Sequence, residues 1–272
     1  MTSAVAGPIV LVGAGNMGGA MLSGWLDAGR DGASIVVLDP SPSEAIKVKL
    51  SEKGASSYST APGGLIAGIL FLAVKPQMME TVLPLVKRVV GPQTVVVSVA
   101  AGTTLSSLSK HLGEAAMVRA MPNTPAMIGR GITGAYGNDR VTDEQRGQVT
   151  ELLAVSGPVE WVSSEADIDA VTAVSGSGPA YVFYLVECMA EAGRKLGLPA
   201  DLAMRLARET VSGAGELMRR SSDEAAQLRK NVTSPGGTTA AALSVLMAEE
   251  GMQPLFDTAL EAARTRAQEL GS

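Results

Sequence analysis

Cysteine, histidine and aromatic residues are scarce in this chain of 272 residues, which has one Cys, one His, two Trp, four Tyr and three Phe. The single cysteine, Cys188, excludes an internal disulfide framework and any multi-cysteine zinc site. The single histidine, His111, excludes a paired-histidine metal motif, so no metal centre is expected. There is no basic block and the net charge is −5, which argues against nucleic acid as a partner. Long apolar runs are also missing. The longest, Leu65 to Val74, is about half of what a membrane-spanning helix needs. The first basic residue is Arg30, so no secretory leader is expected. A cytoplasmic protein that does not enter a membrane is the expectation.

Small and flexible apolar residues are abundant instead. Hydrophobic residues make up 46% of the chain and charged residues 18%, with 31 Gly and 13 Met, too apolar for a disordered protein. The core must be built from Ala, Val, Leu and Met, which suit close helix packing.

Two textures divide the chain. Up to about Ser164, short apolar runs alternate with helical patterns. Strands are expected at Ile9–Val12, Ser34–Leu38, Ile69–Val74 and Thr94–Val99, with shorter ones at Met117–Ala120, Ile132–Tyr136 and Val159–Val162. A helix from Met17 to Ala28 should stop at Gly29. Unbroken apolar strands alternating with helices imply a mostly parallel sheet covered on both faces. From Ile168 onward only helical periodicity remains. Helices are expected at Pro179–Leu196, from Pro199 and Asp201 to about Arg219, at Ala240–Leu246, and over the spacing Met252, Phe256, Ala259, Leu260, Ala263, Ala267 and Leu270. The fold class is therefore α/β: a Rossmann-like domain over 1–164, then an all-helical domain over 165–272. The wide apolar faces of its Ala-rich helices call for a second copy of the chain.

Gly13-Ala14-Gly15-Asn16-Met17-Gly18 follows a strand and opens a helix, the context that marks a dinucleotide fingerprint. Gly13 would allow the tight turn, Gly15 the approach of a pyrophosphate, and Gly18 close packing of helix on strand. Asp39 ends the second strand about twenty residues further on, where a carboxylate binds the adenosine ribose and repels a 2′-phosphate. The same Asp39-Pro40-Ser41-Pro42-Ser43 is also a good turn with Ser43 as a helix cap, and Ser41 and Ser43 could hold a phosphate. Three further loops end later strands, where ligands bind in open α/β sheets: Ala73-Val74-Lys75-Pro76-Gln77, Ala100-Ala101-Gly102-Thr103 and Met121-Pro122-Asn123-Thr124-Pro125-Ala126. Lys75 reads as a catalytic ammonium, a phosphate contact or a surface lysine. The two prolines around Asn123 and Thr124 make either a rigid polar contact loop or a stiff crossover.

In the helical half, Ser175-Gly176-Ser177-Gly178-Pro179-Ala180-Tyr181 and Ser234-Pro235-Gly236-Gly237-Thr238-Thr239 each precede a helix. They read as bare helix starts or, at Gly236, Gly237 and Thr238, as a nest of free N–H groups for a small carboxylate. Acid–base residues are nearly missing. His111 falls on an exposed helical position with no partner in view, Asp167 and Asp169 read as N-terminal helix charge, and Cys188 reads as a small core residue. Ketone reduction needs a proton donor for the developing alkoxide. An already protonated imine needs hydride and good positioning, so the pattern leans toward imine chemistry.

Taken in order, five segments resemble the pyrroline-5-carboxylate reductase family nearly end to end. They are Gly13–Gly18, Ala73–Pro76, Met121–Pro125, Ser175–Ala180 and Asn231–Thr239, the last being the most specific. The resemblance implies reduction of 1-pyrroline-5-carboxylate to L-proline. It implies that Ala73–Pro76 and Ala100–Gly102 line the nicotinamide nucleotide, and that Ser234–Thr239 holds the substrate carboxylate by backbone N–H groups. Thr239 would contact the ring nitrogen. It further implies a homodimer of interleaved C-terminal helices, possible as a decamer of five dimers, and a habit of using NADPH that Asp39 departs from, leaving NADH open. The expected cofactor residues are Gly13, Gly15, Asn16, Met17, Gly18, Asp39, Ser41, Ala73, Val74, Lys75, Pro76, Ala101, Gly102 and Asn123. The expected substrate residues are Ser177, Ser234, Gly236, Gly237, Thr238 and Thr239. The β-hydroxyacid dehydrogenases are similar too, but place a lysine one turn into the helix after their Ser-Gly loop. Pro179–Tyr184 contains none. A dinucleotide-binding sensor is the reading from another class, and it would not need the Ser234–Thr239 loop.

Overall fold

The computed structural model describes residues 7–271; residues 1–6, where the segment read as lacking a leader begins, lie outside it. The first strands are β1 (Ile9–Val12), β2 (Ile35–Leu38), β3 (Ser56–Tyr58), β4 (Ile69–Leu72) and β5 (Val95–Ser98). They are followed by β6 (Ala116–Met121), β7 (Thr133–Gly137) and β8 (Val159–Trp161). Among them run α1 (Asn16–Asp27), α2 (Glu44–Lys53), α3 (Met79–Val86), α4 (Leu105–Leu112) and α5 (Asp143–Ala154). The strands form one sheet in the order β3-β2-β1-β4-β5-β6-β7-β8. All neighbours are parallel except β6 and β7. The order reverses between β1 and β4, and that switch point is where such sheets bind ligands.

Alternation along the strands explains the layers. Ile9, Leu11, Ile35, Val37, Ile69 and Phe71 point to one face, where Met21, Leu22, Trp25 and Leu26 of α1 and Val149, Leu152 and Leu153 of α5 bury them. Val10, Val12, Val36, Leu38, Leu70 and Leu72 point to the other, against Met79, Leu83 and Val86 of α3 and Leu105, Leu108 and Leu112 of α4. With both faces covered, the central strands can be apolar throughout. The few aromatics are used centrally. Trp25 meets Phe71 edge-on at 5.2 Å, and its indole Nε1–H donates to the Leu152 carbonyl at 2.7 Å, tying α1 to α5.

The expected strands are present: β1 with the expected bounds, β2, β4 and β8 shorter by one or two residues at an end, β5 shorter by one at each end, β6 longer by one at each end, and β7 shifted by one. β3 was missed: its Ser-Ser-Tyr sequence lies exposed at the sheet edge and carries no burial signal. A 3₁₀ turn at Gly32–Ser34 delays the start of β2. Gly29 follows α1 with φ +87°, as the helix stop requires.

Next come α6 (Asp167–Val171), a π-helical turn at Thr172–Gly176, α7 (Gly178–Lys195), α8 (Ala200–Arg220), α9 (Ala225–Asn231), α10 (Thr238–Leu246) and α11 (Met252–Gly271). By compactness the chain forms two units, residues 1–176 with 263–272, and residues 177–262. In the second unit the buried hydrophobics among the described residues are Ala190, Ala203 and Ala207, while Val182, Phe183, Tyr184, Leu185 and Met189 of α7 are exposed. The expectation that Cys188 sits in the core is thereby corrected. It lies exposed, on the stretch of α7 where Tyr184, Leu185 and Met189 are exposed too. The thiol holds the nearby Tyr184 phenol above its ordinary range through a hydrogen bond and charge repulsion.

No helix among the described residues is long and apolar enough to cross a membrane. Replacing Trp25 by Phe should destabilise the protein by about 2–4 kcal/mol, through lost volume and a buried carbonyl left unpaired. Urea unfolding measures it, and a loss below about 1 kcal/mol would remove the α1–α5 tie from the account.

Candidate active site

Gly13 ends β1 with φ +87°, a conformation that side-chain-bearing residues rarely adopt. Its N–H donates to the Leu38 carbonyl at 3.0 Å, tying the turn to β2. A methyl group on Gly18 would come within 2.0 Å of the Gly13 carbonyl oxygen and 3.0 Å of the Ala73 Cβ. Only glycine lets α1 lie this close to the strand that feeds it. Gly15, the N-cap of α1, differs. A methyl there would meet nothing within 4 Å, and no side chain caps the helix. Open space therefore lies over free first-turn N–H groups at Asn16, Met17 and Gly18, and those donors suit an anionic pyrophosphate. The residues present fit a dinucleotide.

Asp39 closes the neighbouring edge. Its Oδ2 accepts from the Ala14 N–H at 2.7 Å and its Oδ1 from the Ser41 N–H at 2.8 Å. The turn reading of this segment holds, since Ser43 caps α2, accepting from the Ile46 N–H at 3.4 Å. Ala73 continues β4, its N–H donating to the Val12 carbonyl, and Val74 Cγ1 lies 2.9 Å from where a Gly13 methyl would be. This pair backs the glycine turn. Lys75 is exposed and precedes a 3₁₀ turn that starts at Pro76. Ala101 and Gly102 follow β5. Gly102, φ +72°, packs its Cα against Leu270 near the end of α11, leaving no room for a side chain.

In the loop after β6, the Asn123 Oδ1 accepts from the Ile132 N–H at 3.0 Å, so its amide nitrogen is the part left for a ligand. Gly176 packs against Met121, whose Cε would lie 2.6 Å from a methyl at that position. The first unit thus gathers the expected cofactor residues along the carboxyl ends of β1, β2, β4, β5 and β6.

Sequence reading missed a charge cluster beneath this edge. Arg119, buried on β6, donates from Nη1 to Glu165 Oε1 at 2.9 Å, and its Nη2 lies 3.6 Å from Asp169 Oδ1. Glu165 Oε1 also accepts from the Leu105 N–H at the start of α4. One guanidinium therefore links β6, α4 and α6. Asp169 stands in the first turn of α6, as expected of helix N-terminal charge, and is in addition an ion-pair partner of Arg119. The clue was an arginine inside the apolar run Ala116–Met121, since a buried charge needs a partner. His111 is corrected. It is half-buried, with Nε2 3.1 Å from Glu80 Oε2, because α3 and α4 share one face of the sheet.

Within the second unit, Ser177 precedes α7 with helical φ/ψ and makes no side-chain cap. Ser234-Pro235-Gly236-Gly237 is a turn closed by the Gly237 N–H donating to the Ser234 carbonyl at 3.1 Å, with Gly236 at φ +69°. This corrects the idea of three consecutive free donors, because the Gly237 N–H is spent inside the turn. The free donors move onto Thr238 and Thr239, in the uncapped first turn of α10. Ser234 Oγ would lie 2.6 Å from a Gly237 methyl. Among the described residues, no group of three or more His, Cys, Asp or Glu could hold a metal ion.

The sheet order, the glycine turn and the donors above it define a dinucleotide-dependent oxidoreductase, and residues 8–102 match the family model described as NADP oxidoreductase, coenzyme F420-dependent. Residues 165–270 match that for pyrroline-5-carboxylate reductase dimerisation. The pyrroline-5-carboxylate reductase of Pseudomonas aeruginosa is 41% identical over 263 residues, covering 96% of each chain. A solved pyrroline-5-carboxylate reductase from Coxiella burnetii superposes with a TM-score of 0.90 at 36% identity, covering 98% of this chain and 99% of that one. The Plasmodium falciparum enzyme, solved with NADP bound, gives 0.81 at 28% identity, over 99% and 100%. The chain belongs to the pyrroline-5-carboxylate reductase family.

Two glycines should separate on substitution. Gly15→Ala has room in the free protein, so its melting temperature should stay within about 1–2 °C while nucleotide affinity falls on the order of tenfold or more. Gly18→Ala should lose stability as well as nucleotide. Calorimetric titration beside thermal unfolding reads both; equal behaviour of the two would contradict the assigned roles.

Proposed function

We propose that this chain reduces 1-pyrroline-5-carboxylate to L-proline with NADPH or NADH, the last step of proline biosynthesis. The observation that carries the reading is the turn Ser234–Gly237. It delivers the uncapped first turn of α10 in a family whose members bear this activity in their names. Thr238 and Thr239 N–H groups, with Gly236 and Gly237 shaping the loop, take the substrate carboxylate. Ser177 and Ser234 border it. The Thr239 hydroxyl orients the ring nitrogen and is the catalytic residue of this scheme.

Gly13 to Gly18 and Asp39 with Ser41 hold the nucleotide, and Ala73–Pro76, Ala101, Gly102 and Asn123 border its nicotinamide half. Bound there, a reduced nicotinamide would supply the hydride that C5 takes and would itself be oxidised; the C=N π pair of the substrate would move onto nitrogen. With the nitrogen protonated beforehand, the product amine needs no further proton. That accounts for a site whose sequence segments contain no histidine.

Residues 1–164 act as the dinucleotide domain and residues 165–272 as the substrate and dimerisation domain. The exposed apolar faces of α7 and its neighbours support a homodimer, with five dimers as the larger assembly, in the cytoplasm.

Consumption of reduced nicotinamide with racemic pyrroline-5-carboxylate tests the reading. Folded protein that binds nucleotide yet shows no turnover with either cofactor would overturn it. Thr239→Val should lower kcat/KM for the imine by about 10–100-fold, the worth of one hydrogen bond to a charged group. Unchanged turnover and KM would remove Thr239 from the scheme.

A further inference from the structure

Asp39 is held from two sides. One hydrogen bond, from the Ala14 N–H at 2.7 Å, comes out of the glycine turn, and the other, from the Ser41 N–H at 2.8 Å, out of the turn that opens α2. Swinging away to admit another anion would break both bonds. Each oxygen nevertheless keeps acceptor capacity, which ribose hydroxyls can use.

Among the described residues, no lysine or arginine is ion-paired with this carboxylate. No lysine or arginine lies between Asp39 and Ile46, and Glu44 adds a second negative charge. Lys47 is paired with Glu44 at 2.6 Å, and Lys49 with Asp27 at 2.8 Å. The Ser43 hydroxyl accepts from the Ile46 N–H as the helix cap. Lys75 follows β4, and β1 lies between that strand and β2.

We propose that Asp39 is a specificity-determining residue that commits this chain to NADH. The pinned carboxylate accepts from the adenosine ribose hydroxyls and repels the 2′-phosphate of NADPH. A phosphate monoester carries about −1.5 to −2 charge at neutral pH, and here it would meet a carboxylate held by two hydrogen bonds and without an ion-pair partner among the described residues. The inference rests on the oxidoreductase reading above and narrows its cofactor.

Nucleotide binding tests it without any turnover, so failure of the imine chemistry and failure of this proposal are distinguishable. The wild-type protein should bind NADH on the order of a hundredfold more tightly than NADPH, ~2.7 kcal/mol, by calorimetry or nicotinamide fluorescence. In competition against NADH, ADP should displace it better than 2′,5′-ADP, a comparison that needs no variant. Asp39→Asn should shrink the NADH:NADPH ratio by about tenfold or more, mainly through tighter NADPH binding. A merely structural role would weaken both nucleotides alike. If Asp39→Asn does not fold, Asp39→Ser, which can still accept from the Ser41 N–H, takes its place. Equal or tighter binding of NADPH by the wild type, or an unchanged ratio in the folded variant, overturns the proposal.

Discussion

The approach of α1 to β1 at Gly13 and Gly18 is the constraint on which the cofactor edge depends. A methyl on Gly18 would collide with the Gly13 carbonyl and press on Ala73, so the helix can start where it does only because both residues lack side chains. That placement points the first-turn N–H groups of α1 into open space above Gly15. It also brings the Ala14 N–H within reach of Asp39. The backing by Ala73 and Val74 then sets how β4 meets the turn, and the loop after β4 inherits its position. A displacement of the helix by one methyl group would disturb all of these contacts together.

Much of this was legible because it depends on local pattern. Four-residue buried strands such as Ile9–Val12 and Ile69–Leu72 read as unbroken apolar runs, and the glycine spacing stood between a strand and a helix. The fold class and the family followed from such local features. What escaped reading depends on partners far away in sequence. β3 is an exposed edge strand of Ser and Tyr, held by pairing with β2 and by the Asp39 N–H bond to the Tyr58 carbonyl. His111 gained Glu80, and Asp169 gained Arg119, through the packing of helices that no periodicity specifies. At Gly237 the helix start was read correctly and the hydrogen bonding was not. A turn closed from within spends a donor that looks free in the sequence.

The scarcity of aromatic side chains divides the molecule. In the first unit Trp25 and Phe71 occupy the centre, and Val, Leu and Ile on both faces of the sheet complete a continuous core. The second unit keeps only three alanines out of water among its described hydrophobic residues, too little apolar surface to offset the ordering of its helices.

Such a unit cannot be an independent reservoir of stability. If the cover for its helices comes from another copy of the same chain, folding and association become one equilibrium, and the free energy of the native state includes a concentration term. Dilution alone, at constant temperature and pH, would then loosen the helical half while leaving the sheet intact. Catalytic competence in a cell would depend on how much of the protein is made as well as on how well each copy folds.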